Sequence, residues 1–235
     1  MHTLGVLLQA GEDKSWKVRL AFARNFAQLA KAFGKDITDA NLIQTFTLFL
    51  KDGESEVRNA AITSLKDCIR LISIEKINSL VLPNLEMLYQ DSSPQFRAGV
   101  ATVVSITATI MGKEATIAKI LPLVQELIKD DNHDVRLSAT EGLKMIAEVM
   151  GYDILSSNLI TTLTSLTKDG QWRVRQAVYR LIGDLAIGFV SSEVEPGQRS
   201  VCEQPGSYLF RVLDGHGRQR ARGRSQENEG KTERG

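Results

Sequence analysis

Apolar residues recur along this chain in a block that repeats every 39 residues. Two polar columns mark the register. Asp13, Asp52, Asp91, Asp130 and Asp169 stand 39 apart, and six residues after each comes Arg19, Arg58, Arg97, Arg136 or Arg175. Leu7, Phe46, Leu85, Val124 and Leu163 lie six before the aspartates, and Ala10, Phe49, Leu88, Leu127 and Leu166 three before them. Beyond the aspartates, the columns at plus five (Val18, Val57, Phe96, Val135, Val174) and plus thirteen (Phe26, Leu65, Val104, Leu143, Ile182) are again apolar. So is the column at plus twenty, with Phe33, Ile72, Met111, Met150 and Phe189. These offsets trace one stripe on each of two successive helices, parted by a polar turn that opens at the aspartate.

The pattern predicts an all-α chain of five 39-residue helix pairs, at about 1–34, 39–73, 78–112, 117–151 and 156–190. A pair with a single apolar stripe cannot cover it alone, so neighbouring pairs must stack, which makes the chain a solenoid. Gly34, Gly112 and Gly151 fall where a second helix should end in a left-handed residue. Pro83 and Pro122 sit eight before their aspartates, inside first helices, where a missing N–H should bend the helix and curve the stack.

An Asp and an Arg in every unit suit a structural role, because a catalytic site needs to occur only once. The aspartate is placed to accept from N–H groups at the opening of the next helix. The arginine, one or two turns on, is placed to reach the aspartate of a neighbouring unit and hold the stacking register, a ladder of Asp13, Arg19, Asp52, Arg58, Asp91, Arg97, Asp130, Arg136, Asp169 and Arg175.

A 39-residue helix pair with Pro, then Asp eight later, then Arg six after that, resembles the HEAT repeat. The phrases DKSWKVRLAFARNFAQLAKAFGKDIT, KDGESEVRNAA and DGQWRVRQAVYRLIGDLA go further and are similar to middle units of the scaffold (structural, A-type) family of protein phosphatase 2A, over residues 1 to about 190. The resemblance implies an armadillo-like superhelical solenoid without catalytic activity. It also implies two partners in a heterotrimer, the serine/threonine phosphatase 2A catalytic subunit plus a B-type regulatory subunit, gripped by the intra-unit turns. Matched residue by residue, Gln171, Trp172 and Arg173 open the platform for the catalytic subunit. Lys14, Trp16, Lys17, Glu54 and Glu56 are assigned to the regulatory subunit.

Both tryptophans, Trp16 and Trp172, occupy the slot three after the aspartate, where other units carry Ser55, Pro94 and His133. A slot that accepts Ser, Pro and His is not a core slot. A tryptophan there is either a lid stacked on its basic neighbour or an anchor for a partner.

Composition narrows the alternatives. The net charge is +1, and residues 1–190 carry 21 basic and 21 acidic side chains. That balance argues against a HEAT-like DNA-binding enzyme, which needs a basic groove to neutralise phosphates; a general HEAT adaptor in transport or chromatin stays open. The longest uncharged run, between Arg97 and Lys113, is 15 residues, below what a membrane span requires. The start of the chain lacks the basic region and cleavage site of a signal peptide. Cys68 and Cys202 lie in unlike contexts, as reduced thiols in the cytoplasm would, with the nucleus a second compartment. His2, His133 and His216 are scattered, and Gly112-Lys113 lacks the rest of a phosphate loop, so neither a metal nor a cofactor is expected. From Ser191 the repeat stops: Tyr208 and Asp214 stand where Asp and Arg would fall, and a Gly/Arg-rich tail over 191–235 is expected to be disordered, with GHGRQRARGR as a less favoured nucleic-acid patch.

Overall fold

The computed structural model describes residues 2–193, and all regular structure among them is helical. The chain divides into two compact units, Met1–Leu181 and Ile182–Gly235. Of the second, the described part is the helical stretch 182–193. The disordered tail was expected from 191, whereas the last described helix runs through Glu193; the rest of that tail, 194–235, lies outside the described residues.

Among the described residues ten helices, two per repeat, follow in chain order. α1 is His2–Gly11 and α2 is Trp16–Ile37, a stretch broken at the non-helical Gly34, past which Lys35, Asp36 and Ile37 already lead into the next first helix. α3 joins a π-helical turn, Thr38–Leu42, to Ile43–Phe49. α4 is Ser55–Cys68 with a 3-10 turn at Ile69–Leu71. α5 is Ile74–Lys76, a π-helical turn Ile77–Val81, and Leu82–Leu88. α6 is Pro94–Met111. α7 is Lys113–Ala115, a π-helical turn Thr116–Ile120, and Leu121–Leu127. α8 is His133–Met150, α9 Tyr152–Leu166 and α10 Trp172–Glu193. First helices start closer to the preceding unit than the sequence boundaries 39, 78, 117 and 156 suggest.

The apolar columns build the stack. α2 packs on α4, α4 on α6 and α6 on α8, so the second helices form a continuous layer. Phe26 of α2 stacks on Phe46 of α3 with ring centroids 3.7 Å apart, and Phe22 and Phe49 close the cluster edge-on. The equivalents Leu65, Leu85, Val104, Val124, Leu143 and Leu163 are all fully buried. Each such side chain contributes roughly 1.5–3 kcal/mol when removed from water. Val18 is 37% exposed although its column mates Val57, Phe96, Val135 and Val174 are fully buried.

The links between units differ from the expected left-handed helix ends. Gly34, Gly112 and Gly151 do have positive φ, at 79°, 81° and 99°. Their ψ values of 174°, 179° and 143° are extended, however, in a region that only glycine enters at low cost. One residue thus redirects the chain from a second helix straight into the next first helix. Between the second and third units, which have no glycine there, extended Ile72 and Ser73 make the link, and the Ser73 N–H donates to the Asp39 carboxylate at 3.1 Å.

The prolines are not the source of the irregularity in the first helices. The π-helical turns before Pro83 and Pro122 are closed by Leu82 N–H to Ile77 O and Leu121 N–H to Thr116 O. The same bond, Ile43 N–H to Thr38 O, closes the same turn in the second unit, where Gln44 replaces proline. Proline fits a wide turn that forms without it.

Candidate functional site: the ridge of intra-unit turns

Each turn between the two helices of a unit is built on its aspartate. The Asp52, Asp91, Asp130 and Asp169 carboxylates accept the N–H of Glu54, Ser93, Asn132 and Gln171, two residues on, at 2.8–3.0 Å; Asp13 does the same for Ser15. This corrects one detail of the expectation: the aspartate holds the residue before the helix and shapes the turn, rather than capping the helix's own first N–H groups. Where the helix start is capped, Ser93 and Asn132 side chains do it, accepting from Phe96 N–H and Asp134 N–H.

The arginines tie one turn to the next. Arg19 donates to both oxygens of Asp52 at 2.6 and 3.0 Å, Arg97 to Asp130 at 2.7 and 2.8 Å, and Arg136 to Asp169 at 2.8 and 3.0 Å. Each also holds the backbone carbonyl of its own unit's aspartate, at 2.7–2.8 Å. Arg58 makes a poorer rung: one nitrogen reaches Asp91 at 3.2 Å, while its Nε, 2.9 Å from the other oxygen, is misaligned and has no hydrogen bond. Arg175 holds the carbonyls of Asp169 and Gly170.

Electrostatics follow this geometry. The Arg136 hydrogen bond leads in holding the Asp169 carboxyl below the ordinary carboxylate range. For Asp52 and Asp130 burial is the largest influence and opposes ionisation, yet the arginine and backbone hydrogen bonds outweigh it and the carboxyls are again depressed. Arg19 and Arg97 are raised by the same pairs. The buried Cys68 thiol is pushed up to about 12 by desolvation, which makes it an inert packing group.

With the ladder committed to stacking, the ridge offers its exposed side chains. The slot three after each aspartate is the first residue of the second helix, not part of the turn: α2, α4, α6, α8 and α10 begin at Trp16, Ser55, Pro94, His133 and Trp172. Trp172 is 58% exposed. Pro94 in the same slot is exposed and Ser55 and His133 are partly exposed, all three with neighbours on both sides, so the slot lies at the surface. Arg173 lies 5.6 Å from the Trp172 ring and Lys17 5.9 Å from the Trp16 ring, so each tryptophan stacks on its basic neighbour while Trp172 still shows most of its surface. Gln171, Trp172 and Arg173 form one exposed group. Lys14 and Lys17 are exposed beside a half-buried Trp16. Glu54 lies on the next turn, whereas Glu56 lines a cleft of about 370 Å³ among the second helices, with Arg24, Thr63, Asp67 and Gln95.

Sequence reasoning passed over Leu48 and Met87, 59% and 68% exposed near the ends of α3 and α5. Both stand four before an aspartate, where other units carry Gln9, Glu126 and Ser165, and that departure was the available signal. Tyr179, 61% exposed, lies in a column that is buried at Ala23, Ile62, Ala101 and Thr140; it belongs to a stacking face. Among the described residues no group of His, Cys, Asp and Glu has metal-binding geometry, and no helix is long and apolar enough to cross a membrane.

Comparison with known proteins agrees with the repeat. Residues 35–112 match the PPP2R1A-like HEAT repeat family and residues 120–150 the HEAT repeat family. The chain is 38% identical over 93 residues to the beta isoform of the human serine/threonine-protein phosphatase 2A 65 kDa regulatory A-type subunit, covering 38% of this chain and 16% of that protein. It is 35% identical over 85 residues to the human serine/threonine-protein phosphatase 4 regulatory subunit 1, covering 36% of this chain and 9% of that protein. The match thus spans less than a fifth of either relative. Among solved structures, the crystal structure of Cex1p superposes with a TM-score of 0.69 at 17% identity, over 82% of this chain and 37% of that one, which speaks to the fold alone. The chain is a HEAT-repeat solenoid, and its resemblance to the phosphatase 2A scaffold holds over the matched repeats.

Proposed function

We propose that this chain is a non-catalytic scaffold that holds the catalytic and B-type regulatory subunits of phosphatase 2A on one frame, as a heterotrimer in the cytoplasm. The observation that carries the reading is Trp172. A large apolar ring stays 58% exposed beside a guanidinium, at the start of the helix that follows a turn whose Asp169 is already committed to Arg136. Tryptophan next to arginine is the composition most often found where binding energy concentrates. Gln171, Trp172 and Arg173 are the contact for the catalytic subunit, while Lys14, Trp16, Lys17, Glu54 and Glu56 serve the regulatory subunit. The names of the phosphatase 2A and phosphatase 4 relatives, both regulatory subunits, support a phosphatase partner.

The test mixes the purified chain with purified phosphatase 2A catalytic subunit, followed by light scattering behind size exclusion. A one-to-one complex at micromolar concentration, which a regulatory subunit then enlarges, is the expected result. Absence of the binary complex overturns the assignment, and binding of the phosphatase 4 catalytic subunit in its place redirects it.

A further inference from the structure

The second helices carry a banded charge pattern on their solvent face that the ladder does not use and that shares only Lys17 and Glu56 with the residues assigned to the regulatory subunit. The columns four and eleven after each aspartate flank a column at plus eight whose members on α2, α4, α6 and α8 are all small: Ala21, Ala60, Gly99 and Ser138. The small residues make a low track across the layer, and the flanking side chains stand beside it. On α2 these are Lys17 and Arg24, both exposed; on α8 they are Asp134 and Glu141, both exposed. Of the two helices between, α6 is neutral in these columns, with Gln95 and Thr102, and α4 carries a single carboxylate, Glu56, with Thr63.

The bands continue along the helices. α2 has no acidic residue between Trp16 and Gly34, and the exposed Lys31 extends its basic stripe seven residues past Arg24. On α8 the exposed Glu148 extends the acidic stripe; outside the ladder, that helix carries three acidic side chains and one basic, Lys144. Where the track crosses α4 it deepens into the 370 Å³ cleft, where Arg24 from α2 and Gln95 from α6 face Glu56 and Asp67 of α4, so the basic band ends at α2.

We propose that this track binds an extended peptide segment of a partner protein, with an acidic block over α2 and a basic block over α8. Charge complementarity selects the occupant. A nucleic acid or an anionic membrane would be repelled at α8, and a uniformly basic segment at α2. The spacing of the blocks follows from the fold. α2 and α8 are three second-helix steps apart, at roughly 8–10 Å per step, and an extended chain advances about 3.3 Å per residue. The two blocks must therefore be separated by about eight residues. This surface lies on helix flanks and shares Lys17 and Glu56 with the proposed regulatory-subunit contact, so it is tested on the chain alone, where its outcome is separate from that of the phosphatase assignment.

The experiment is a fluorescence-anisotropy titration of the full chain alone with a labelled peptide of three glutamates, eight Ser/Gly residues and three lysines, at low salt. Expected is binding at least tenfold tighter than that of peptides carrying only one block, and loss of that advantage when the spacer is cut to two residues, since both bands then cannot be reached together. The Lys17→Glu/Arg24→Glu variant removes the preference for the glutamate block, and Asp134→Lys/Glu141→Lys removes that for the lysine block; all four positions are exposed, and circular dichroism checks that each variant stays folded. Equal affinity for the short-spacer and long-spacer peptides, or binding unchanged in both variants, overturns the proposal.

Discussion

Arg97 and Asp130, 33 residues apart, meet through two hydrogen bonds of 2.7 and 2.8 Å, while the same guanidinium holds the Asp91 carbonyl at 2.7 Å. The register of two successive turns therefore converges on one planar side chain that is 15% exposed. Lysine could supply the charge but not the fork. Arg97→Lys is expected to destabilise by about 1–2 kcal/mol and Arg97→Ala by about 3 kcal/mol, since the latter strands a largely buried carboxylate. Removing Asp130 as well should recover part of the Arg97→Ala loss. A double-mutant cycle in urea that shows no coupling between the two positions would mean the rung is decorative.

Acid should loosen the stack. The Asp52, Asp130 and Asp169 carboxyls are all depressed in the folded chain. A group whose folded value lies below its unfolded value, about 3.9 for aspartate, stabilises fully above that value and loses its contribution as pH falls through the folded value. The urea midpoint is expected to hold steady from pH 7 to about 5 and then fall below about 4. Asp130→Asn should be less stable at neutral pH and show a shallower acid limb, because one of the titrating groups is gone. An unchanged acid limb in that variant would place the acid sensitivity elsewhere.

Gly142 of α8 packs so closely on α6 that a Cβ there would overlap the Ser105 hydroxyl. Ser105 is itself buried, donating to the Ala101 carbonyl at 2.9 Å. Gly142→Ala should therefore cost about 1–3 kcal/mol through overpacking, despite the better helix propensity of alanine. Combining it with Ser105→Gly should restore most of the loss by reopening the space. If thermal unfolding shows Gly142→Ala to be neutral, the two helices can move apart at no cost and the contact does not set their spacing.

The period of 39 was legible because every unit must repeat the same two stripes to bury them, and the Phe26–Phe46 stack and its Leu, Val and Leu equivalents occupy those columns. The links were less legible. A positive φ at Gly34, Gly112 and Gly151 follows from glycine alone, but whether ψ is helical or extended depends on how the next helix packs, which no local signal carries. Pro83 and Pro122 drew attention to a bend that Gln44 shares, because the wide turn is set by stacking rather than by the missing N–H. The reach of Arg19 or Arg97 to the next unit's aspartate was readable from spacing and donor geometry. The misaligned Nε of Arg58 was not, since the columns are identical there. The turn residues were legible as a surface, whereas Leu48 and Met87 hid beside the apolar stripe of their own helices.

Trp172 separates folding from binding. It opens α10 at 58% exposure, with Arg173 5.6 Å from its ring, an exposed contact near the outer limit of such pairs and therefore at the low end of their range, about 0.5 kcal/mol. Trp172→Ala should therefore shift stability by no more than about 0.5 kcal/mol, as surface changes usually do. If the ring is an anchor for the phosphatase 2A catalytic subunit, the same change should weaken that complex by about 2 kcal/mol, roughly thirtyfold in Kd. Arg173→Lys, which keeps the charge but loses the planar fork, should fall between. Trp16→Ala is the matched comparison: it removes the same residue type from the same slot beside Lys17, at the other end of the array, and should leave catalytic-subunit binding unchanged. Isothermal titration with each variant, alongside urea unfolding, reads both quantities. Equal losses of affinity from Trp16→Ala and Trp172→Ala would remove the catalytic subunit from the fifth unit. Unfolding by Trp172→Ala would make the ring a packing element, because a side chain that only touches a partner cannot support the solenoid.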